Sequence, residues 1–171
     1  MDLSIVNWIA AHLRCPFLDF LMPLITLLGE YGFIWIVICV VLLARKRTRR
    51  MGCACALSLL LAFICGEVVL KNIIRRARPF THLSELTLLI PPPDSFSFPS
   101  GHTGSSFAAA CSLTLSDRRN GWWAIPLAAL IAFSRLYLSV HYPTDILAGA
   151  LLGLVSALAA RWLLRGGAPA S

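Results

Sequence analysis

The chain has 171 residues, of which 58% are hydrophobic and 13% are charged, and its mean hydropathy is +0.77. Soluble domains carry about 25% charged residues, so this composition excludes an ordinary soluble globule, and its apolarity excludes a disordered chain. The formal net charge is +7. Because the charges lie between apolar runs, we interpret them as membrane-surface anchors and anion ligands and expect no nucleic-acid partner.

Apolar segments that could cross a bilayer, alone or with their flanks, follow one another along the chain. They are residues 33–44, 52–69, 103–115, 122–138 and 146–164. The first 29 residues contain two shorter apolar stretches, which predict either a broken first span or an interfacial helix followed by a half-span. We therefore predict an all-α, polytopic transmembrane bundle of five to six spans.

The whole chain, residues 1–171, is expected to form a single integral-membrane domain. Residues 1–29 would form the broken or interfacial helices, 52–155 the functional core, and 166–171 a frayed tail. The sequence shows no internal repeat. Its patterns do not indicate whether the protein is a monomer or an oligomer. Its six cysteines lie mostly inside apolar runs and form no C-x-x-C pair, so we expect buried apolar side chains rather than metal ligands or disulfides.

The distribution of lysine and arginine predicts the orientation in the membrane. Alternating spans bring nine basic residues to one face, which we assign to the cytoplasm: Arg45, Lys46, Arg47, Arg49, Arg50, Arg118, Arg119, Arg161 and Arg165. The opposite face carries Lys71, Arg75, Arg76, Arg78 and Arg135. A bound anion would explain cations on the outer face. We therefore expect a multi-pass protein of the plasma membrane whose site faces the periplasm or the cell exterior.

Three segments that meet on this outer face carry the candidate chemistry: residues 71–79, 99–102 and 134–145. In the second segment, Ser100 suits a helix N-cap and Gly101 allows close approach of the backbone to a ligand. A phosphate group gains from a helix N-terminus and from nearby cations. Arg135 follows a mostly apolar run, and a charge at that depth is a functional hypothesis by default.

Two histidines and a carboxylate in these segments suggest a division of roles. Pro143 is well placed to begin a helix, so Asp145 falls in its first turn and can accept a bond from one ring nitrogen of His141. The other nitrogen is then free to attack, while His102 serves as general acid. The ordinary alternatives are a helix cap for Asp145 and a satisfied buried histidine for His102.

The ordered motifs K-x6-R-P, P-S-G-H and S-R-x5-H-x3-D resemble the signature of the type-2 phosphatidic acid phosphatases. These are membrane lipid phosphatases that share their site with the vanadium haloperoxidases. The resemblance spans about residues 52–155. The matching residues are Lys71, Arg78 and Pro79; Pro99, Ser100, Gly101 and His102; and Ser134, Arg135, His141 and Asp145.

The resemblance implies an acid-phosphatase/haloperoxidase-like core and hydrolysis through a phosphohistidine, without a metal or other cofactor. It implies that His141 attacks phosphorus, that Asp145 orients His141, and that His102 protonates the leaving group. The residues that it implies around the phosphoryl oxygens are Lys71, Arg78, Ser100, Gly101 and Arg135, with Pro99 and Ser134 as support.

The short chain and the string Arg78-Pro79-Phe80 are similar to compact bacterial members that act on undecaprenyl diphosphate. We therefore predict its hydrolysis to undecaprenyl phosphate, with the lipid bilayer as the setting. Phosphatidylglycerol phosphate, phosphatidate and lipid A remain alternative substrates, because the motifs do not separate them. An ion or proton transporter is the alternative from another class, but transporters more often show repeats and broken mid-membrane helices. Residues 80–98 are expected to form a lid, a membrane-dipping segment or an ordinary loop.

Glu67 lies outside this signature, four residues before Lys71. Glu followed by Lys at this spacing is the favourable order for an ion pair on a helix. We predict that Glu67 holds the Lys71 ammonium in place and takes no direct part in the chemistry. The alternative is that Glu67 faces another polar group or a water-filled cleft.

Overall fold

The computed structural model describes residues 1–83 and 87–166, and within these ranges the regular structure is entirely helical. The α-helices are α1 (Asp2–His12), α2 (Pro16–Leu28), α3 (Phe33–Ala44), α4 (Arg49–Phe63), α5 (Lys71–Ile74), α6 (Gly101–Ser116), α7 (Arg118–Gly121), α8 (Ala124–Tyr137) and α9 (Pro143–Gly166). A π-helical segment, Ile64–Leu70, joins α4 to α5, and 3₁₀ turns occupy Glu30–Gly32 and Pro79–His82. The predicted all-α class is confirmed. The predicted frayed tail lies outside the described residues from position 167 onward.

The predicted apolar segments are all mainly helical in the described part of the chain. Two helical stretches are long and apolar enough to cross a membrane by themselves, Arg49–His82 and Pro143–Arg165. The α2–α3 pair passes the same test as one broken span, bent by 44°. The number of five to six crossings therefore stays a prediction.

A sharp bend in the N-terminal region lies between α2 and α3. Tyr31 and Gly32 there have positive φ angles of 49° and 71°. Glycine adopts this left-handed backbone without steric cost, which allows the chain to leave α2 and restart as α3 within four residues. The two stretches of residues 1–29 are separate helices, and α2 pairs with α3 across the break.

Helix α6 lies at the centre of the fold and packs against α9, α8 and α4. Small residues let the α6 and α9 backbones approach closely. A Cβ built on Gly153 would lie 2.6 Å from the backbone nitrogen of Ala108, and one on Gly149 would lie 2.7 Å from the carbonyl oxygen of Ser100.

Two contacts fix the relative direction of α6 and α9. At one end the Ser100 N–H donates to the carbonyl of Asp145 at 3.1 Å, and at the other Arg161 Nη1 donates to the carbonyl of Leu115 at 2.8 Å. The helices are therefore parallel, and both begin at the end that we call the site end. The π-helical segment also reaches the site end, where Glu67 lies against Gly101.

Candidate active site

The Asp145 carboxylate is fully buried in the first turn of α9, as the position of Pro143 predicted. Its Oδ2 accepts hydrogen bonds from Ser97 Oγ at 2.5 Å and from the Tyr142 N–H at 2.9 Å. His141 Nδ1 lies 3.5 Å from the same oxygen. The expected contact between His141 and Asp145 is present, but it is long for a hydrogen bond because Ser97 and Tyr142 already occupy Oδ2.

His141 is buried in the connection between α8 and α9, and its second ring nitrogen faces an arginine. Arg78 Nη1 lies 3.2 Å from His141 Nε2. Burial lowers the pKa of His141 well below its ordinary value, against the opposing effect of the Asp145 carboxylate. The imidazole is therefore neutral at neutral pH, and Nε2 carries a lone pair when Nδ1 holds the proton.

Arg78 is held in place by the backbone on both sides of the site. Its Nη1 donates to the carbonyl of Val140 at 2.9 Å, and its Nε donates to the carbonyl of Ser95 at 2.7 Å. Its Nη2 also reaches Ser95 Oγ at 3.1 Å. The buried guanidinium thus joins the loop before α6 to the connection before α9.

The N-terminus of α6 has the cap that the sequence predicted. Ser100 Oγ accepts the N–H of Thr103 at 3.4 Å and the Thr103 hydroxyl at 3.0 Å. In the following turn, His102 Nε2 lies 3.3 Å from Glu30 Oε2, although the two atoms lack the alignment of a hydrogen bond. The break between α2 and α3 therefore brings an acidic side chain beside the predicted general acid.

Lys71 and Glu67 form the predicted ion pair at the end of the π-helical segment. Lys71 Nζ lies 2.7 Å and 2.8 Å from the two carboxylate oxygens of Glu67, and Lys71 is 6% exposed. The Glu67 carboxylate fills the space that a Cβ on Gly101 would need. Glycine at position 101 is thus required by this carboxylate.

Arg135 and His102 each have a buried nitrogen without a hydrogen-bond partner. They are Arg135 Nε and His102 Nε2. Buried polar groups in folded proteins are nearly always satisfied, so the Arg135 nitrogen fits a site built for an anion, whereas His102 Nε2 already lies beside the Glu30 carboxylate. Arg135 Nη1 donates to Thr26 Oγ1 at 2.6 Å, which ties α8 to α2.

The two predicted supporting residues take separate positions. Pro99 is buried next to Gly66, while the buried Ser134 hydroxyl donates to the Ile131 carbonyl of its own helix at 2.7 Å. Within residues 1–83 and 87–166, no three His, Cys, Asp or Glu side chains are grouped as metal ligands would be.

Three residues in the site were missed by sequence reasoning: Arg76, Ser97 and Glu30. Arg76 Nη1 donates to Asp145 Oδ1 at 2.7 Å, so it is more than the interfacial anchor that its position suggested. Glu30 had a usable signal, since it and Asp19 are the only charges in residues 16–44. For Ser97 the sequence offered no signal beyond its position two residues before Pro99.

Comparison with known proteins relates the chain to membrane phosphatases. Residues 51–166 match the PAP2 superfamily. The chain is 38% identical over 133 residues to an undecaprenyl-diphosphatase from Sulfolobus acidocaldarius, covering 76% of this chain and 64% of that relative. This chain therefore spans slightly less than two thirds of the relative's length.

Two crystal structures are similar to the whole bundle. Aquifex aeolicus LpxE superposes with a TM-score of 0.82 at 26% identity and covers 94% of both chains. A transmembrane PAP2-type phosphatidylglycerolphosphate phosphatase from Bacillus subtilis gives a TM-score of 0.79 at 26% identity, covering 99% of this chain and 87% of that one. These similarities extend over the N-terminal helices as well as the three motifs.

We expect Gly101→Ala to lower kcat/KM by at least about tenfold, because the new Cβ would displace the Glu67 carboxylate and the Lys71 ammonium with it. The matched control is Gly104→Ala, on the same helix, where a Cβ would meet only the Gly149 carbonyl oxygen, at 3.8 Å. Phosphate release from a lipid phosphate measures both variants. Equal activity of the two would contradict a steric role for the Glu67 carboxylate.

We expect Glu67→Gln to raise KM by about tenfold and to change kcat less, because it releases the Lys71 ammonium, which the sequence predicts to bind the phosphoryl group. The double variant Glu67→Gln/Lys71→Met should be little worse than Lys71→Met alone. The measurement is a double-mutant cycle on kcat/KM. Fully additive losses would show that Glu67 does not act through Lys71.

Proposed function

The chain belongs to the PAP2 superfamily, and we propose that it is a membrane lipid phosphatase that hydrolyses undecaprenyl diphosphate to undecaprenyl phosphate and phosphate. The observation that carries this proposal is the environment of His141. A buried, neutral imidazole has Asp145 behind Nδ1 and the Arg78 guanidinium in front of Nε2. An attacking nitrogen beside a fixed cation suits transfer of an anionic phosphoryl group.

In the first step, the Nε2 lone pair of His141 attacks the terminal phosphorus. The N–P bond forms as the bond from phosphorus to the bridging oxygen breaks, and undecaprenyl phosphate leaves. His102 donates a proton to the departing oxygen. Asp145 keeps the proton of His141 on Nδ1 and stabilises the positive charge that the ring gains.

In the second step, water attacks the phosphohistidine. His102, now lacking its proton, accepts one from the water, and the P–N bond breaks to release phosphate and restore neutral His141. Both histidines return to their starting states, so the cycle consumes one water for each diphosphate cleaved.

The cations of the site supply the charge that a metal ion supplies in other phosphatases. Lys71, Arg78 and Arg135 are all at least 94% buried, and they are the residues proposed to hold the phosphoryl oxygens with the Ser100 and Gly101 segment at the α6 N-terminus. Guanidinium and ammonium groups can stabilise the charge of the transition state without a metal. We therefore propose metal-independent hydrolysis with no cofactor.

The proposed setting is the outer face of the plasma membrane, with five to six crossings. Side chains on the outer surface of the bundle support contact with lipid, since Leu147, Phe63 and Trp162 are 69%, 57% and 74% exposed. Of the predicted cytoplasmic basic residues, Arg45, Lys46 and Arg47 precede α4, and Arg49 and Arg50 lie in its first turn, at the end of that helix away from Lys71. The positive-inside rule then favours a site that faces outward.

A second candidate substrate is favoured by one specific observation. The similar Bacillus subtilis structure is described as a phosphatidylglycerolphosphate phosphatase. Phosphatidylglycerol phosphate offers the same terminal phosphoryl group on a different lipid, so the proposed chemistry would act on it unchanged. Phosphatidate and lipid A complete the panel of lipids on which the rate of phosphate release by the purified protein is to be compared.

We expect the purified protein to release phosphate from undecaprenyl diphosphate in excess EDTA, and vanadate to inhibit it as a mimic of the pentacoordinate transition state.

His141→Ala should reduce the rate to background, because no neighbouring group replaces an attacking imidazole, and Asp145→Asn should lower it by about 10⁴-fold. A colorimetric phosphate assay measures each. Activity that disappears with EDTA and returns only with a divalent ion would contradict the mechanism, as would normal turnover by His141→Ala.

We expect a membrane-impermeant thiol reagent to label Asp94→Cys in intact cells and to leave Lys46→Cys unlabelled. Both positions are exposed; Asp94 lies in the loop at the site end, and Lys46 lies in the basic turn before α4. Mass shift on a gel reads the labelling, in a background where the exposed Cys15, Cys53 and Cys65 are serine. The reverse pattern would place the site in the cytoplasm.

A further inference from the structure

Arg76 makes polar contacts with three side chains at the site end. Its Nη1 donates to Asp145 Oδ1 and to Thr144 Oγ1, each at 2.7 Å, and its Nη2 donates to Asp2 Oδ2 at 2.8 Å. The flat face of the guanidinium stacks on the Tyr142 ring, with Cζ 3.8 Å from the ring centroid. One side chain thus joins the N-terminal helix α1 to the start of α9.

Asp145 depends on this contact, because it is a carboxylate with no exposed surface. A buried charge is costly unless it is both paired and hydrogen-bonded. Its Oδ2 is occupied by the neutral donors Ser97 and Tyr142 N–H, and Arg76 supplies the cation at Oδ1. Arg76 therefore fixes both the ionisation and the direction of the carboxylate that faces His141.

Arg76 is itself held by Asp2 of α1, through the guanidinium nitrogen that does not contact Asp145. Asp2 accepts Arg76 Nη2 and also the Thr144 hydroxyl. Burial raises the pKa of Asp2, but the hydrogen bonds from Arg76 and Thr144 outweigh it and hold the pKa below its usual range. Asp2 is thus a carboxylate at neutral pH, and α1 contributes a negative charge that keeps the guanidinium between two acids.

We propose that Arg76 is a positioning residue for the reaction, which orients the Asp145 carboxylate behind His141 and is locked by Asp2 of the N-terminal helix. This inference rests on the proposed function. The competing role is direct capture of the substrate, since Arg76 and Arg78 both border an open cavity of about 350 Å³. Three of the five N–H groups of Arg76 donate to Asp145, Thr144 and Asp2, which favours positioning of Asp145 over capture of substrate.

The test separates turnover from binding. Arg76→Met should lower kcat by about 100-fold, as misplacement of a group in the reaction does, with KM and the vanadate inhibition constant within about threefold of wild type. The matched control is Arg75→Gln, one residue away, whose exposed side chain donates only to the Asn72 carbonyl in the described contacts. This control should keep wild-type kcat. A normal kcat in Arg76→Met, or a parallel rise of KM and the vanadate constant, would overturn the proposal.

A double-mutant cycle with Asp145→Asn tests whether Arg76 acts through this carboxylate. In the Asp145→Asn background, Arg76→Met should lower kcat by no more than about threefold further, because the charge it pairs with is gone. A full additional loss would overturn the proposed route. The wild-type protein in the same assay separates this outcome from failure of the proposed function, in which wild type itself releases no phosphate from any lipid of the panel.

Asp2→Asn keeps the proposal testable if Arg76→Met does not fold. Asp2 lies in α1 away from the reacting groups, and its loss should lower kcat severalfold with unchanged KM, because Arg76 loses one of its anchors. Thermal unfolding in detergent monitors the fold of every variant. Wild-type kcat in a folded Asp2→Asn protein would show that α1 does not lock Arg76 for the reaction.

Discussion

The arrangement of the site depends on one buried charge, the carboxylate of Asp145. A carboxylate without exposed surface must be surrounded by donors, and two of its three donors, Ser97 and Arg76, come from distant parts of the chain. Ser97 belongs to the loop before α6, Tyr142 to the connection before α9, and Arg76 to the segment after α5. Satisfying this single group therefore brings three otherwise separate segments together, and His141 is placed at their junction.

Close packing of helices makes that junction rigid. The α6 and α9 backbones meet through Gly149 and Gly153, and Ser100 donates its N–H to the Asp145 carbonyl at the site end. Helix starts that carry His102 and Asp145 are thereby held in one register. The π-helical segment, a feature common at functional sites, delivers Glu67 against Gly101 in the same layer. A tightly packed interior transmits displacement instead of absorbing it, so a single added methyl group at such a contact affects the chemistry.

Local relationships in the site were predictable, and long-range ones were not. The Ser100 cap, the Glu67–Lys71 pair and the place of Asp145 in the first turn of α9 follow from spacings of three or four residues, which helical geometry determines. Arg76–Asp145 and Glu30–His102 join residues about 70 positions apart. No helical period reports such pairs, because their members lie on separate elements. Arg76 follows α5 and Asp145 is in α9, while Glu30 is in the turn before α3 and His102 is in α6. The bend at 29–32 is a related case: its two glycines do not reveal which helices they separate.

The three motifs by themselves do not determine which lipid is the substrate. Donors that face the proposed phosphoryl position come from the three motifs, and a terminal phosphoryl group is common to every candidate lipid. Discrimination among lipids must therefore come from surfaces outside those motifs. The open cavity beside Arg78 is such a surface, since Phe80, Pro92 and Phe96 line it together with Asp94. The cavity lies next to the Arg78 guanidinium, which donates to Ser95 in this loop and faces His141. A head group that binds against the loop would therefore also affect the position of Arg78. We therefore expect loop changes that leave every motif residue in place to alter both selectivity and turnover, through Arg78.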